Sequence, residues 1–236
     1  MCCRYTLIKV EAALTKMLKM QQLAGLKARY NIAPTQPIAA IRANEQSRER
    51  EVAIFNWGLV PFWAKEPSIS TKLLNARSET AAVKPAFRGP MRHHRCLIPA
   101  DGFFEWKGRS GQKQPFYIRR PNFEPFCFAG LFDHWGSPDG SEIESATILT
   151  TAANQFMKPI HARMPVIIAP QDYDRWLDPA IQRSGEVADL LRAPPEDFFV
   201  HEPVTPLVNR VQNDLPECVM PTELPPEPPS QMGFGF

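Results

Sequence analysis

A single α+β domain, built around a largely antiparallel, barrel-like β-sheet with peripheral helices, is predicted by three features of the chain. Short β-rich runs succeed one another from residue 96 to residue 169 without the regular helical alternation of a parallel sheet. Few stretches carry apolar residues at helical spacing. The 236 residues include 25 prolines, about twice the usual share of roughly 5%, which favours rigid turns over long helices.

Taken in order, residues 3–8 predict a short strand at the terminus. Residues 10–23 place Leu14, Met17, Leu18 and Leu23 at helical spacing. Residues 28–36 predict an irregular segment ending near Pro34. Residues 37–41 and 52–57 predict strands joined by a charged turn over 44–51. The loop 58–67 is rich in Trp and Pro, and residues 73–80 lead into a helical stretch before Pro85. Residues 96–99 and 103–107 predict strands on either side of Ala100-Asp101-Gly102, a turn signal. Further strands are expected at 115–119, 126–132, 146–151, 165–169 and 199–204. Helices are expected at 170–177, with Pro170 in the first turn, and at 185–191. The domain is expected to span 1–220. The tail 221–236, with Pro-Pro-Glu-Pro-Pro and Gly-Phe-Gly-Phe, is expected to be disordered.

Bulk composition narrows the function only a little. The chain is 44% hydrophobic and 22% charged, with net charge +2, so a nucleic-acid partner would require its cations to gather on one face. The first residues lack the apolar region of a secretory leader, and no run approaches the roughly 18 apolar residues of a membrane span. The cysteines Cys2, Cys3, Cys96, Cys127 and Cys218 are odd in number and irregular in spacing, a poor disulfide framework. A reducing cytoplasm is the expected location.

Cys2 is the most informative residue. Removal of Met1 would leave a 1,2-aminothiol, whose amine condenses with an aldehyde to a Schiff base and whose thiol then closes a five-membered thiazolidine. An α-amine has pKa about 7.7–8.0 against about 10.4 for Lys, so roughly a third of it is neutral at pH 7.5, against about one Lys in a thousand. Ring closure is intramolecular and gains a large effective concentration. Three further segments could support such chemistry. Asn75-Ala76-Arg77 puts an amide and a guanidinium on one face of a strand. Phe103-Phe104-Glu105-Trp106 sets a carboxylate among aromatics, where its pKa would rise. His161 stands before Pro165. A zinc site from Cys2, Cys3, His93, His94 and Cys96 lacks a standard ligand spacing.

Together the segments resemble the SOS-response-associated peptidase (SRAP) family, whose members cross-link to abasic sites. The resemblance runs in the family's order over roughly residues 2–215. It rests on Cys2-x-Arg4-Tyr5, Arg29-Tyr-Asn-Ile-Ala-Pro-Thr35, Trp57-Gly-Leu-Val-Pro-x-Trp63, Asn75-Ala-Arg-Ser-Glu-Thr80, Cys96-Leu-Ile-Pro-Ala-Asp-Gly-Phe-Phe-Glu-Trp106, Leu149-Thr-Thr-Ala-Ala153 and His161-Ala-Arg-Met-Pro165.

The resemblance implies a sensor that binds single-stranded DNA and links Cys2 covalently to the ring-opened abasic sugar. Asn75 would hold the opened sugar, Glu105 would move protons at the amine, and His161 would assist ring opening and Schiff-base formation. Arg4 and Arg77 would contact phosphates. Asn31, Pro34, Trp63 and Thr150 would line the DNA path. No cofactor or metal, a monomeric state and no membrane partner are expected. The family has Gly where this chain has Cys3, which places a second thiol beside the first. Two alternatives stay open: a cysteine-type peptidase with an N-terminal nucleophile, acting on its own Met1 or on other proteins, and a non-covalent single-strand-binding module.

Overall fold

The computed structural model describes residues 3–17, 26–44, 46–108 and 113–224. Its strands, in chain order, are β1 Tyr5–Leu7, β2 Arg29–Ile32, β3 Pro37–Ala43, β4 Arg50–Trp57, β5 Asn75–Arg77, β6 Arg95–Ala100, β7 Gly102–Lys107, β8 Gln114–Arg119, β9 Phe126–Gly136, β10 Glu142–Ala152, β11 Arg163–Pro165, β12 Ile167–Ile168 and β13 Val200–Pro203. The short helices are α1 Ser78–Ala81, α2 Arg88–His93 and α3 Tyr173–Leu177. No helix of the described residues is long and apolar enough to cross a membrane.

The barrel closes through β4, β3, β6, β9 and β10, each paired with the next, with β10 returning to β4. Every pairing in this ring is antiparallel except β10 with β4, which is parallel. Closure removes the open sheet edges that would otherwise need cover. The second sheet runs β13-β8-β7-β1-β2, with all its pairings antiparallel. The predicted fold class is therefore the observed one.

Strand β10 is the axis of the site. It is buried continuously from Ser145 to Thr151, so its sequence shows no alternation of apolar and polar residues. One edge of β10 carries β9 and then β11; the other carries β4 and then β5.

Aromatic packing joins the two sheets. Tyr5 meets Trp57 and Phe128 edge-on at 5.4 and 5.6 Å, and Phe103 meets Phe128 edge-on at 6.1 Å. Such pairs contribute about 0.5–1.5 kcal/mol beyond their burial. Asp101 then fixes β1. Its carboxylate accepts from Ile8 N–H at 2.5 Å, from Lys9 N–H at 2.7 Å and from the Thr6 hydroxyl, which lies 2.9 Å from the Tyr117 hydroxyl. Burial, reinforced by the Asp101 charge, pushes the Tyr117 phenol up and keeps it a neutral donor. Gly102 follows because a Cβ there would fall 2.3 Å from the Tyr117 ring.

Several local expectations need correction. Residues 28–36 are not wholly irregular: Arg29–Ile32 is a strand paired antiparallel with β1. Its signal is tertiary, because Asp214 pairs with Arg29 and accepts from Tyr30 and Asn31 N–H at 2.6 and 2.9 Å. The helix expected over 10–23 is a helical segment at Ala12–Met17, and residues 18–23 lie outside the described residues. The helix expected at 185–191 is a tighter 3₁₀ segment, Ser184–Leu190. The run 165–169 divides between β11, which pairs with β10, and β12, which pairs with β9. At the domain boundary, Pro221 bridges Val204 and Thr222 N–H donates to the Pro203 carbonyl at 2.9 Å. Residues 225–236 of the expected tail lie outside the described residues.

Candidate functional site

Met1 and Cys2 lie outside the described residues, so the site is built from their neighbours. Cys3 and Arg4 precede β1, which lies beside β7; Phe104 N–H donates to the Arg4 carbonyl at 2.9 Å. Glu105 follows on β7 and is buried, 3% exposed. Burial pushes its carboxyl above the ordinary carboxylate range, and His161 is close enough to oppose that shift electrostatically. The Cys3 thiol is pushed up by burial and then by the Glu105 charge. Cys3, Glu105 and His161 therefore share one electrostatic neighbourhood, although they come from separate parts of the sequence.

The remaining members sit on either side of β10. Asn75 pairs with Ile148 and Arg77 with Thr150 in parallel register. Asn75 is half-buried, and Arg77 is exposed. On the opposite edge, His161 enters β11. Its Nδ1 lies 3.0 Å from both the N–H and the carbonyl oxygen of Arg163. An unprotonated Nδ1 accepts from the N–H, and a protonated one donates to the carbonyl. The ring thus keeps a partner at Nδ1 in either state, which suits a residue that takes and returns a proton.

The expected DNA-lining residues divide into two groups. Trp63 and its neighbour Phe62 are 47% and 68% exposed. Their loop is pinned by Val60 N–H donating to Ser145 Oγ at 2.8 Å, Phe62 N–H donating to Asp133 at 3.0 Å, and Trp135 Nε1 donating to the Ala64 carbonyl at 2.6 Å. Gly58 starts this loop at φ +127°, and a Cβ there would fall 2.7 Å from the Ser70 carbonyl oxygen. Pro34 is partly exposed beside Thr35, which has φ 67°.

Asn31 and Thr150, in contrast, face inward. The Asn31 amide donates to the Val208, Arg210 and Asn213 carbonyls at 3.2, 3.1 and 2.7 Å and accepts from Arg4 at 2.8 Å. Arg4 also donates to the Val208 carbonyl at 2.6 Å. Thr150 is fully buried, with its hydroxyl donating to the Ala76 carbonyl at 3.3 Å. These contacts hold the loop 207–213 and the β5–β10 seam in place. Phe62, Asp101, Asp133 and Asp214 are structurally involved residues that sequence reasoning passed over. Phe62 carried a local signal as a bulky aromatic in a Pro-rich loop, and Asp101 only as part of a turn; Asp133 and Asp214 carried none.

Cys3, Cys96, Cys127 and Cys218 are free thiols. Cys96 is buried in the barrel, whereas His94 stacks on Phe132 at 4.9 Å. Among the described residues no group of three or more His, Cys, Asp or Glu is placed to hold a metal ion.

Comparison with known proteins adds sequence and structural relatives. The family model described as SOS response associated peptidase (SRAP) matches residues 1–211. The abasic site processing protein YoqW of Bacillus subtilis is 37% identical over 223 residues, which span 93% of this chain and 99% of YoqW. YoaM of the same bacterium, also named an abasic site processing protein, is 38% identical over 93% of this chain and 97% of its own. The abasic site processing protein HMCES of Gallus gallus is 36% identical over 78% of this chain and 61% of its own length. A crystal structure of a protein from Bacteroides thetaiotaomicron superposes with TM-score 0.82 at 28% identity, covering 94% of this chain and all of that one.

Proposed function

Because the chain belongs to the SOS response associated peptidase family, we propose that it is an abasic-site processing protein that cross-links covalently, through Cys2, to abasic sites in single-stranded DNA. The observation that carries this reading is Glu105. A buried carboxyl with raised proton affinity lies in the electrostatic neighbourhood of Cys3, next in sequence to the proposed nucleophile, and of His161. General acid–base groups gathered at a chain start are what imine chemistry at an α-amine requires.

The proposed reaction needs no cofactor. Loss of Met1 frees the Cys2 amine. The abasic sugar opens to its aldehyde, the amine adds to the carbonyl, and water leaves to give the imine. The Cys2 thiol then adds across the C=N bond, forming the C–S bond and returning a proton to nitrogen. One water is lost overall. Glu105 and His161 move the protons at the nitrogen and the departing oxygen, and Asn75 holds the opened sugar. Cys3 cannot take the place of Cys2 because its nitrogen is in a peptide bond. Trp63 and Phe62 present flat faces for unpaired bases, each such stack being worth about 1–3 kcal/mol, and Arg77 neutralises a phosphate.

The test is a denaturation-resistant adduct on an abasic single-stranded oligonucleotide and none on the undamaged oligonucleotide. Adduct formation on both, or on neither with Met1 removed, contradicts the reading. If the protein instead cleaves peptides without forming an adduct, the peptidase activity in the family's description takes precedence.

Two expectations probe named residues. Glu105→Gln should slow adduct formation at saturating DNA by roughly 100-fold, within the range for loss of a general acid–base group, and should remove one limb of the pH–rate profile. The same substitution has a signed effect on stability. With its folded pKa above the unfolded value of about 4.3, Glu105 binds its proton more tightly when folded, so its contribution to stability falls as pH rises through that window. Glu105→Gln should therefore flatten the decline and melt no lower than the parent at neutral pH; thermal melts across pH check this. Arg77→Ala should weaken binding to all sequences alike and reduce the slope of log K against log salt by about 0.7. An unchanged slope removes Arg77 from the phosphate contacts.

A further inference from the structure

Arg163 and Glu79 lie in the motifs of His161 and Asn75 and have no role of their own in the proposed chemistry, yet they form a two-pronged ionic contact beside the site. The Arg163 guanidinium grips Glu79 with both ends, Nη1 to Oε1 and Nη2 to Oε2, each at 2.9 Å. The same Nη2 donates to the Thr150 carbonyl at 2.5 Å, and Nε lies 3.3 Å from the Thr150 hydroxyl. Arg163 stands on β11 and Glu79 on α1, which follows β5. Thr150 pairs with Pro165 on one edge of β10 and with Arg77 on the other. The guanidinium therefore crosses β10 and ties together the two elements that flank it.

What those elements carry gives the tie its consequence. Glu79 lies two residues after Arg77 and four after Asn75; Arg163 lies two after His161 and holds its Nδ1 through the main chain. Among the described residues, the three-residue strand β5 pairs only with β10, and the four-residue α1 has no side-chain cap at its start. Elements so short hold their position only through tertiary contacts. We propose that Arg163 is a positioning residue for the cross-linking reaction, its strap to Glu79 across β10 setting the spacing between Asn75 and Arg77 on one side and His161 on the other.

The strap is half in water. The Arg163 and Glu79 side chains are 16% and 48% exposed, and pairs open to solvent add little to global stability. Placement, however, is sensitive: a shift near 1 Å at a reacting group costs on the order of 100-fold in rate. The Glu79 carboxyl is held below its ordinary range chiefly by the hydrogen bonds from Arg163, so it is ionised at neutral pH.

The proposal rests on the cross-linking reading and is tested with the full chain by a double-substitution cycle. Adduct formation is measured at saturating abasic oligonucleotide for the parent, Arg163→Gln, Glu79→Gln and the pair together, with Arg163→Lys as the conservative variant. Each single variant should lose roughly tenfold or more in rate, with DNA affinity within about twofold and melting within a few degrees of the parent. The double variant should be no slower than the worse single, and Lys, which keeps the charge without the fork, should fall between. Rates equal to the parent, losses that multiply in the double variant, or rate loss that only follows melting would each overturn the strap. If the parent itself forms no adduct, the cross-linking reading fails separately, and the strap is read from the His161 ring in NMR spectra. One sharp set of ring signals should broaden or double in Arg163→Gln; an unchanged ring overturns it.

Discussion

Cys2→Ala is expected to abolish the denaturation-resistant protein–DNA species completely while leaving non-covalent binding to single-stranded DNA nearly intact. The completeness follows from the chemistry. Alanine keeps the α-amine, so an imine can still form, but no thiol remains to close the ring and the adduct reverts by hydrolysis. Reduction of the reaction mixture with borohydride should therefore trap an amine-linked adduct on Cys2→Ala that is absent without reductant. Cys3→Gly tests the neighbouring thiol. Its proton is held tightly by burial and by the Glu105 charge, so it is a poor nucleophile near neutral pH, and its removal should leave the adduct in place. Gel electrophoresis under denaturing conditions reads all three. A persistent unreduced adduct on Cys2→Ala would transfer the nucleophile to another residue.

The largest loss of stability is expected from Asp101→Ala. The substitution strips an acceptor from Ile8 N–H, Lys9 N–H and the Thr6 hydroxyl, leaving donors in a site where Thr6 and Tyr117 are buried. The buried Thr6 hydroxyl left without its partner costs about 1–3 kcal/mol and the part-buried Ile8 and Lys9 donors less, so a total of roughly 2–4 kcal/mol is expected. For a chain of this size that corresponds to a fall in melting temperature on the order of 10 °C. Asp101→Asn keeps the shape and one acceptor oxygen and should lose about half as much. Because the network holds β1, which follows Cys3 and Arg4, adduct formation should decline in Asp101→Ala even at temperatures where the protein remains folded. Calorimetry and adduct rates on the same samples check both parts, and a melting point within a few degrees of the parent would remove Asp101 from the anchoring role.

The parts of the fold that were legible in the sequence are those specified locally. Strands β3 and β4 alternate or cluster apolar residues between clear turns, and the Ala100-Asp101-Gly102 signal separates β6 from β7. Strand β2 was illegible because what makes it a strand is Asp214, far along the chain and bonded to three successive residues. The Ser184–Leu190 segment carries apolar residues at a spacing that fits an α-helix, but winds more tightly. For the site, sequence order brought together motifs without saying which side chains face outward. Asn31 and Thr150 have polar groups suited to DNA, yet the fold turns them toward carbonyls and toward Arg163. Asp101 reads as a turn residue because nothing local reveals that its carboxylate receives two main-chain donors from Ile8 and Lys9, just past β1. The Arg163–Glu79 contact is likewise invisible at a separation of 84 residues.

The most direct test of the central claim is intact mass spectrometry of the protein mixed with a single-stranded oligonucleotide carrying one abasic site. One new species is expected, with the mass of the protein without Met1, plus the oligonucleotide, minus one water. Processed protein that shows only its own mass beside the free oligonucleotide would contradict the claim.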